Sequence, residues 1–188
     1  DIPVKDGEVD YLVNDYGRVY EYECPYPSDE KKGYREVRAA MVGYSGAGKS
    51  TLAKTLGVHY GAPVLYMDSL SFAPGWISRP VEDVERDLRP FLDSPDWVID
   101  GNYKHILWEE RMESADLIIF LDFSRLRCFW HGFRRYLQYR GRSRDSAAQG
   151  CHEKFDWEFM KWILYEGRTS AHRTAYETLC RRYGHKTV

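Results

Sequence analysis

Three glycines, a lysine and two hydroxyl side chains stand at a spacing that could bind polyphosphate. Gly43-Tyr44-Ser45-Gly46-Ala47-Gly48-Lys49-Ser50-Thr51 satisfies G-x-x-x-x-G-K-[ST]. The glycines let the backbone turn tightly and approach a ligand with no Cβ in the way. Successive N–H groups then point inward as an anion nest, and the following helix adds the positive end of its dipole. In such a loop Lys49 bridges the β- and γ-phosphates and the Ser50 hydroxyl ligates Mg²⁺. Thr51 is expected at the α-phosphate, and Gly43, Ser45, Gly46, Ala47 and Gly48 supply the cradle. The plain alternative is a glycine-rich turn with an incidental lysine.

A second group of residues fits phosphoryl transfer, which needs positioning and charge neutralisation more than covalent chemistry. Asp68 follows an apolar segment and could orient or deprotonate an acceptor hydroxyl, or help hold Mg²⁺; it could equally cap a helix. In Asp100-Gly101-Asn102-Tyr103 the aspartate is a candidate second Mg²⁺ ligand. Gly101, Asn102 and Tyr103 are candidate acceptor contacts, although Asp-Gly also makes ordinary turns. Arg79 and Arg111 could clamp a phosphate through their planar forks, or serve in surface ion pairs. Residues 125–144 hold seven arginines and no acid: Arg125, Arg127, Arg134, Arg135, Arg140, Arg142 and Arg144. Arg135 and Arg142 are the expected catalytic members of a lid near 134–152 that closes over the triphosphate. A solvated basic helix and a nucleic-acid patch are the other readings. Asp122 ends an apolar segment as a Walker-B acid does and ranks behind Asp100. Phe155, Phe159, Trp162 and Ile163 at helical spacing read as core, with a base-stacking platform as the other reading.

The elements that must position these residues alternate. Val37, Ala39, Ala40, Met41 and Val42 predict a buried strand before the loop, and a helix follows with Leu52, Ala53 and Leu56 on one side. Further strands are expected at 63–67, 97–100 and 117–122, with helices at 81–93, 103–113, 125–139, 155–166 and 170–183. This pattern is that of an α/β parallel sheet with crossover helices, and ligands then bind beyond the carboxyl ends of the strands. Only Lys186-Thr187-Val188 remain for a last strand.

Residues 1–36 differ in character. Tyr11-Leu12-Val13 and Val19-Tyr20-Glu21-Tyr22 flank Asn14-Asp15-Tyr16-Gly17, a hairpin signal, and Pro25, Pro27 and 29–33 read as a linker. This extension carries ten acids against five Lys/Arg, leaving residues 37–188 with 19 acids and 22 Lys/Arg. The chain thus divides into an acidic extension and a mildly basic domain suited to a polyanionic substrate. The whole chain is 43% hydrophobic, yet no apolar run approaches the roughly 20 residues that span a bilayer. No basic-then-apolar leader opens it. Cys24, Cys128, Cys151 and Cys180 lack C-x-x-C pairing or zinc spacing, and reduced thiols in a cytoplasmic protein are expected.

From Val37 to Tyr183 the chain resembles the bacterial topology modulation protein group, P-loop relatives of adenylate and shikimate kinases. The resemblance rests on the 43–51 loop, Trp97-Val98-Ile99-Asp100-Gly101-Asn102-Tyr103, and Arg111 ahead of Ala115-Asp116-Leu117-Ile118-Ile119-Phe120-Leu121-Asp122. It continues through the arginine-rich lid, Gly150-Cys151-His152-Glu153, and Glu158-Phe159 before Lys161-Trp162-Ile163. It implies a three-layer, ATP-binding, nucleotide-kinase-like fold with strand order 2-3-1-4-5, the last strand here short or missing. Residues 1–36 lie outside the pattern, and His131 stands where related nucleotide kinases often carry arginine. The group's name implies an effect on DNA supercoiling, but the sequence has no topoisomerase cleavage motif.

The expected function is an ATP- and Mg²⁺-dependent small-molecule kinase, monomer or homodimer, whose acceptor is a nucleotide or nucleoside. The rival is an ATP-linked nucleic-acid-binding regulator that affects DNA topology. A regulatory GTPase is disfavoured because no N-K-x-D motif is present.

Overall fold

The computed structural model describes residues 36–142, 144 and 146–188, and in the N-terminal part the backbone of three strands. These strands, β1 (Pro3–Asp6), β2 (Val9–Val13) and β3 (Val19–Tyr22), pair antiparallel in chain order. The anticipated hairpin is therefore two-thirds of a three-stranded sheet. Its first strand, Pro3-Val4-Lys5-Asp6, holds one β-branched residue and gave little signal. The hairpin loop at 14–18 and the linker at 23–35 lie outside the described residues.

The domain that follows is α/β. β4 (Arg38–Gly43) leads through the glycine loop into α1 (Lys49–Tyr60), followed by β5 (Val64–Tyr66). A short helix α2 (Met67–Ser71) runs directly into the two-residue strands β6 (Phe72–Ala73) and β7 (Ile77–Ser78), then α3 (Val81–Leu92) and β8 (Trp97–Asp100). α4 (Trp108–Ser114), β9 (Leu117–Leu121), α5 (Arg125–Tyr139) and α6 (Trp157–Leu164) come next. A 3₁₀ turn at Glu166–Arg168 and α7 (Ser170–Arg182) precede a last 3₁₀ turn at Gly184–Lys186.

The main sheet is wholly parallel with order β5-β8-β4-β9. Period-two alternation along its strands feeds two separate cores. Ala40, Val42, Trp97, Ile99 and Ile118 face one side, against Val84, Leu88 and Leu92 of α3, Met112 of α4 and Leu179 of α7. Ala39, Met41, Val98 and Leu117 face the other, against Ala53, Leu52 and Leu56 of α1. Helices thus flank the sheet on both faces. Val84, Leu88 and Leu92 recur every fourth residue, and Glu82 and Asp83 in the first turn complement the helix dipole.

Two expectations need correction. The helix foreseen over 103–113 starts only at Trp108. Its first turn is lost because the carbonyls of Gly101, Tyr103 and Ile106 accept from the Arg111 guanidinium instead of from helical N–H groups, and Leu107 is left-handed at φ 41°. The helix foreseen over 155–166 is shorter, with the 3₁₀ turn continuing it. The chain end, expected to be too short for a full strand, forms none: the parallel sheet has four strands, and Thr187 makes an isolated parallel bridge with Ile118. The Val188 N–H donates to the Ile118 carbonyl and its carbonyl accepts from the Phe120 N–H, both at 2.9 Å. Among the described residues no helix is long and apolar enough to cross a membrane.

Gly43 closes β4 at φ 135°, and a Cβ there would lie 2.4 Å from the Leu121 carbonyl oxygen on β9. Gly43→Ala is expected to destabilise the domain by about 2–4 kcal/mol, through backbone strain and the clash. Urea denaturation checks this, and an unchanged midpoint would refute the described approach of β4 to β9.

Candidate functional site

The glycine loop presents unpaired donors. Gly46 is left-handed at φ 78° because its α-carbon lies against the Cys128 backbone, where a Cβ would come 2.3 Å from the carbonyl oxygen. Gly48 caps α1 at φ 93° without a side-chain hydrogen bond. Among the described residues, no backbone carbonyl or side chain accepts from the N–H groups of Gly46, Gly48 or Lys49. They sit at a helix start, where such donors suit an anion. The Lys49 ammonium folds back over the loop and donates to the Gly43 and Tyr44 carbonyls, 3.0 Å each. Burial holds its pKa below the ordinary lysine value, partly offset by Asp100 and Asp68.

Because the strands are parallel, the loops after β4, β5 and β8 emerge at one edge. There the Ser50 hydroxyl donates to Asp100 Oδ2 at 2.6 Å, while Asp100 Oδ1 is buried without a partner. Burial pushes the Asp100 carboxyl above its usual range, against the lowering effect of Lys49 and then of the Ser50 hydrogen bond. Asn102 locks this edge to the loop: its Oδ1 accepts from the Gly43 N–H at 3.0 Å and its Nδ2 donates to the Gly43 carbonyl at 2.5 Å. Asp68, in the first turn of α2, accepts from the Tyr103 hydroxyl at 2.7 Å and from Arg144 Nη2 at 2.9 Å. Burial, followed by the Asp68 charge, drives the Tyr103 phenol far above its ordinary value, so it stays a neutral donor.

The segment expected as a lid closes the circuit. Glu153, buried between two arginines, accepts from Arg135 Nε at 2.7 Å and pairs with Arg144 Nε at 3.2 Å. Its segment is docked on the β6–β7 hairpin. The Gly75 N–H donates to the Gly150 carbonyl, the Trp76 indole to the His152 carbonyl, and the Trp76 N–H to Cys151 Sγ. The Cys151 thiol donates in turn to the Ala73 carbonyl.

These groups surround a cavity of about 550 Å³. Of the residues expected at the site, it brings together Ser45, Gly46, Lys49, Ser50, Asp68, Asp100, Gly101, Asn102, Tyr103 and Arg135. Others stand apart. Arg111 is buried beneath the Gly101–Ile106 loop, and its guanidinium is taken up by backbone carbonyls. Arg79 pairs with Asp87 at 2.6 Å and donates to the Leu70 carbonyl. Both therefore hold structure and do not line the cavity as an acceptor clamp. Arg142 is exposed and contributes backbone hydrogen bonds, and Thr51 is exposed on the outer side of α1. Asp122 is exposed as well and is not among the cavity-lining residues.

Sequence reasoning missed several residues. Glu153 carried no signal except its place after Gly150-Cys151-His152. Arg144 was one arginine in a tract, indistinguishable from its exposed neighbours until a carboxylate partner is seen. Lys104, His105 and His172 lack any motif yet line the cavity. The aromatic stripe divides: Phe155, Phe159 and Ile163 pack in the core, Phe159 also reaching the cavity, while Trp162 lines the cavity and is absent from that cluster.

A hard divalent cation such as Mg²⁺ fits the donor set. It takes oxygen ligands, needs only one or two carboxylates, and keeps water and phosphate oxygens for the rest. Ser50 Oγ and the unpartnered Asp100 Oδ1 are such donors. Among the described residues there is no group of three or more His, Cys, Asp or Glu side chains that could form an all-protein metal cage. No protein-family model matches the chain, and no curated protein matches it.

Burial pushes the Arg111 pKa down to about 10, and its guanidinium satisfies three carbonyls of the loop that carries Asn102 and Tyr103. Arg111→Ala is expected to cost about 3 kcal/mol of stability, because it strips the partners from buried acceptors. Arg111→Lys is expected to recover little, since one ammonium cannot reproduce the fork. Denaturation midpoints of the two variants check this; near-wild-type values would overturn the supporting role.

Proposed function

We propose that the chain is an ATP-dependent small-molecule kinase of the P-loop type, transferring the γ-phosphoryl group to a nucleotide or nucleoside acceptor. The observation that carries this reading is the convergence of Lys49, the Ser50–Asp100 pair and Asp68 on one cavity beside a helix start with free N–H groups. The strand order β5-β8-β4-β9, with Thr187 and Val188 beside β9, supports a nucleotide-kinase-like arrangement and the proposed kinship with the topology modulation group.

In this reading the loop N–H groups hold the triphosphate, and Lys49 exchanges the Gly43 and Tyr44 carbonyls for β- and γ-phosphate oxygens. Ser50 and Asp100 hold Mg²⁺, which neutralises phosphate charge when bound. The acceptor oxygen forms its bond to the γ-phosphorus as the bond to the β,γ-bridging oxygen breaks, and ADP leaves with that oxygen. Asp68 takes the acceptor's proton. In the resting arrangement both Tyr103 and Arg144 donate to that carboxylate. A shift of Arg144 from Asp68 to the transferring phosphoryl oxygens would free it and bring positive charge to the transition state. Arg135 and Glu153 keep that arginine within reach.

A second reading retains one specific support. Arg125, Arg134, Arg140 and Arg142 are exposed, and Trp130 is 55% exposed among them on α5. Such a surface suits a nucleic acid. If it binds DNA, affinity falls steeply with salt and is lost when Arg134, Arg140 and Arg142 are replaced by alanine. No binding at low salt removes this alternative.

The kinase reading is tested by ATP consumption over nucleoside monophosphates, nucleosides and small phosphate acceptors, with calorimetry of Mg·ATP binding. Lys49→Ala is expected to lower turnover by about 100-fold or more. Unchanged Mg·ATP affinity in that variant, together with unchanged turnover, would overturn the assignment of the loop.

A further inference from the structure

The cavity is wider than a phosphate site requires, and its far wall is aromatic. It is lined by the first half of the loop, Ser45 and Gly46, together with Lys49 and Ser50, whereas Thr51 lies exposed outside it. In a loop of this type the lysine reaches the β- and γ-phosphates, so the γ end of a bound triphosphate points into the enclosed space. Whatever lies beyond Ser45 therefore faces the acceptor and not the base of ATP.

What lies beyond Ser45 is Trp162. Its indole N–H donates to the Ser45 hydroxyl at 3.1 Å. The His172 ring stands T-shaped to it, with centroids 5.6 Å apart and planes at 87°. His172 is itself fixed, with Nδ1 at 2.8 Å from the Thr169 hydroxyl that caps α7. Behind the indole, a Cβ on Gly167 would come 3.1 Å from its Nε1 and 3.2 Å from its Cε2. A glycine there is what lets the ring sit where it does. Trp162 is thus held on three sides, yet remains 41% exposed within a cavity-lining position. An immobilised indole that keeps exposed area beside a cavity offers a planar ring a stacking partner at little entropic cost.

Taking the kinase reading as its premise, we propose that Trp162 is the stacking surface for a heteroaromatic ring of the acceptor. The substrate is then a nucleoside or nucleoside monophosphate, and not a polyol or a sugar phosphate without a base. Lys104, whose ammonium lies 5.4 Å from the Tyr176 ring centroid at the same cavity, supplies a cation for an acceptor phosphate.

The test is calorimetry on the full chain saturated with a non-hydrolysable ATP analogue and Mg²⁺. Adenylate and thymidylate are titrated against ribose phosphate, which keeps the phosphorylated sugar and lacks the ring. Ribose phosphate is expected to bind at least about 10-fold more weakly than the better nucleotide. Trp162→Leu is expected to weaken nucleotide binding by about 10- to 100-fold, and Trp162→Phe by less, with the affinity for the ATP analogue unchanged in both. Thermal melts identify a variant that fails to fold, in which case Trp162→Phe and the ribose phosphate comparison decide. Equal binding of ribose phosphate and nucleotides, or a Trp162→Leu loss that falls on the ATP analogue instead, overturns the proposal while leaving the kinase reading intact. Failure of the wild-type chain to bind the analogue strikes the kinase reading itself and removes the premise.

Discussion

The site depends on the backbone of a single residue, Gly43. Its N–H is held by Asn102, and its carbonyl accepts from Asn102, Lys49 and Tyr176. Four elements thereby meet at one residue: the end of β4, the loop after β8, the first turn of α1 and the middle of α7. The residue that makes this possible has no side chain, since β9 passes too close for one. The relative placement of the lysine, the Ser50–Asp100 pair and the far aromatic wall follows from these hydrogen bonds and not from the sheet alone.

Around this anchor the charges nearly cancel. Asp68, Asp100 and Glu153 oppose Lys49, Arg135 and Arg144. Buried charges persist only when paired or hydrogen-bonded. The cost falls on Asp100, whose second oxygen lacks a partner, and on Arg135, whose pKa is lowered first by burial and then by the neighbouring Arg144. A polyanion bound with a divalent cation would meet a donor set that already has both signs in place.

Much of the domain was legible from residue pattern. The glycine loop, the apolar strands and the Asp100-Gly101-Asn102-Tyr103 turn all carry local signals, because strand periodicity and turn chemistry act over a few residues. What was not legible is pairing over long separations. Nothing in Arg111 distinguishes it from Arg144 in isolation; the first is turned toward carbonyls ten or fewer residues away, and the second reaches Asp68 across 76 positions. Trp162 and Ile163 are adjacent, and only the docking of α6 against the loop decides which of them is core. The start of α4 was misplaced because a side chain captured carbonyls that a helix would have used.

The Cys151 thiol and the backbone around it join the lid segment to the β6–β7 hairpin, which in turn leads into α3. Mechanically, the segment that carries Glu153 and the β6–β7 hairpin are riveted together. Any displacement of one must either shear those rivets or carry the other along.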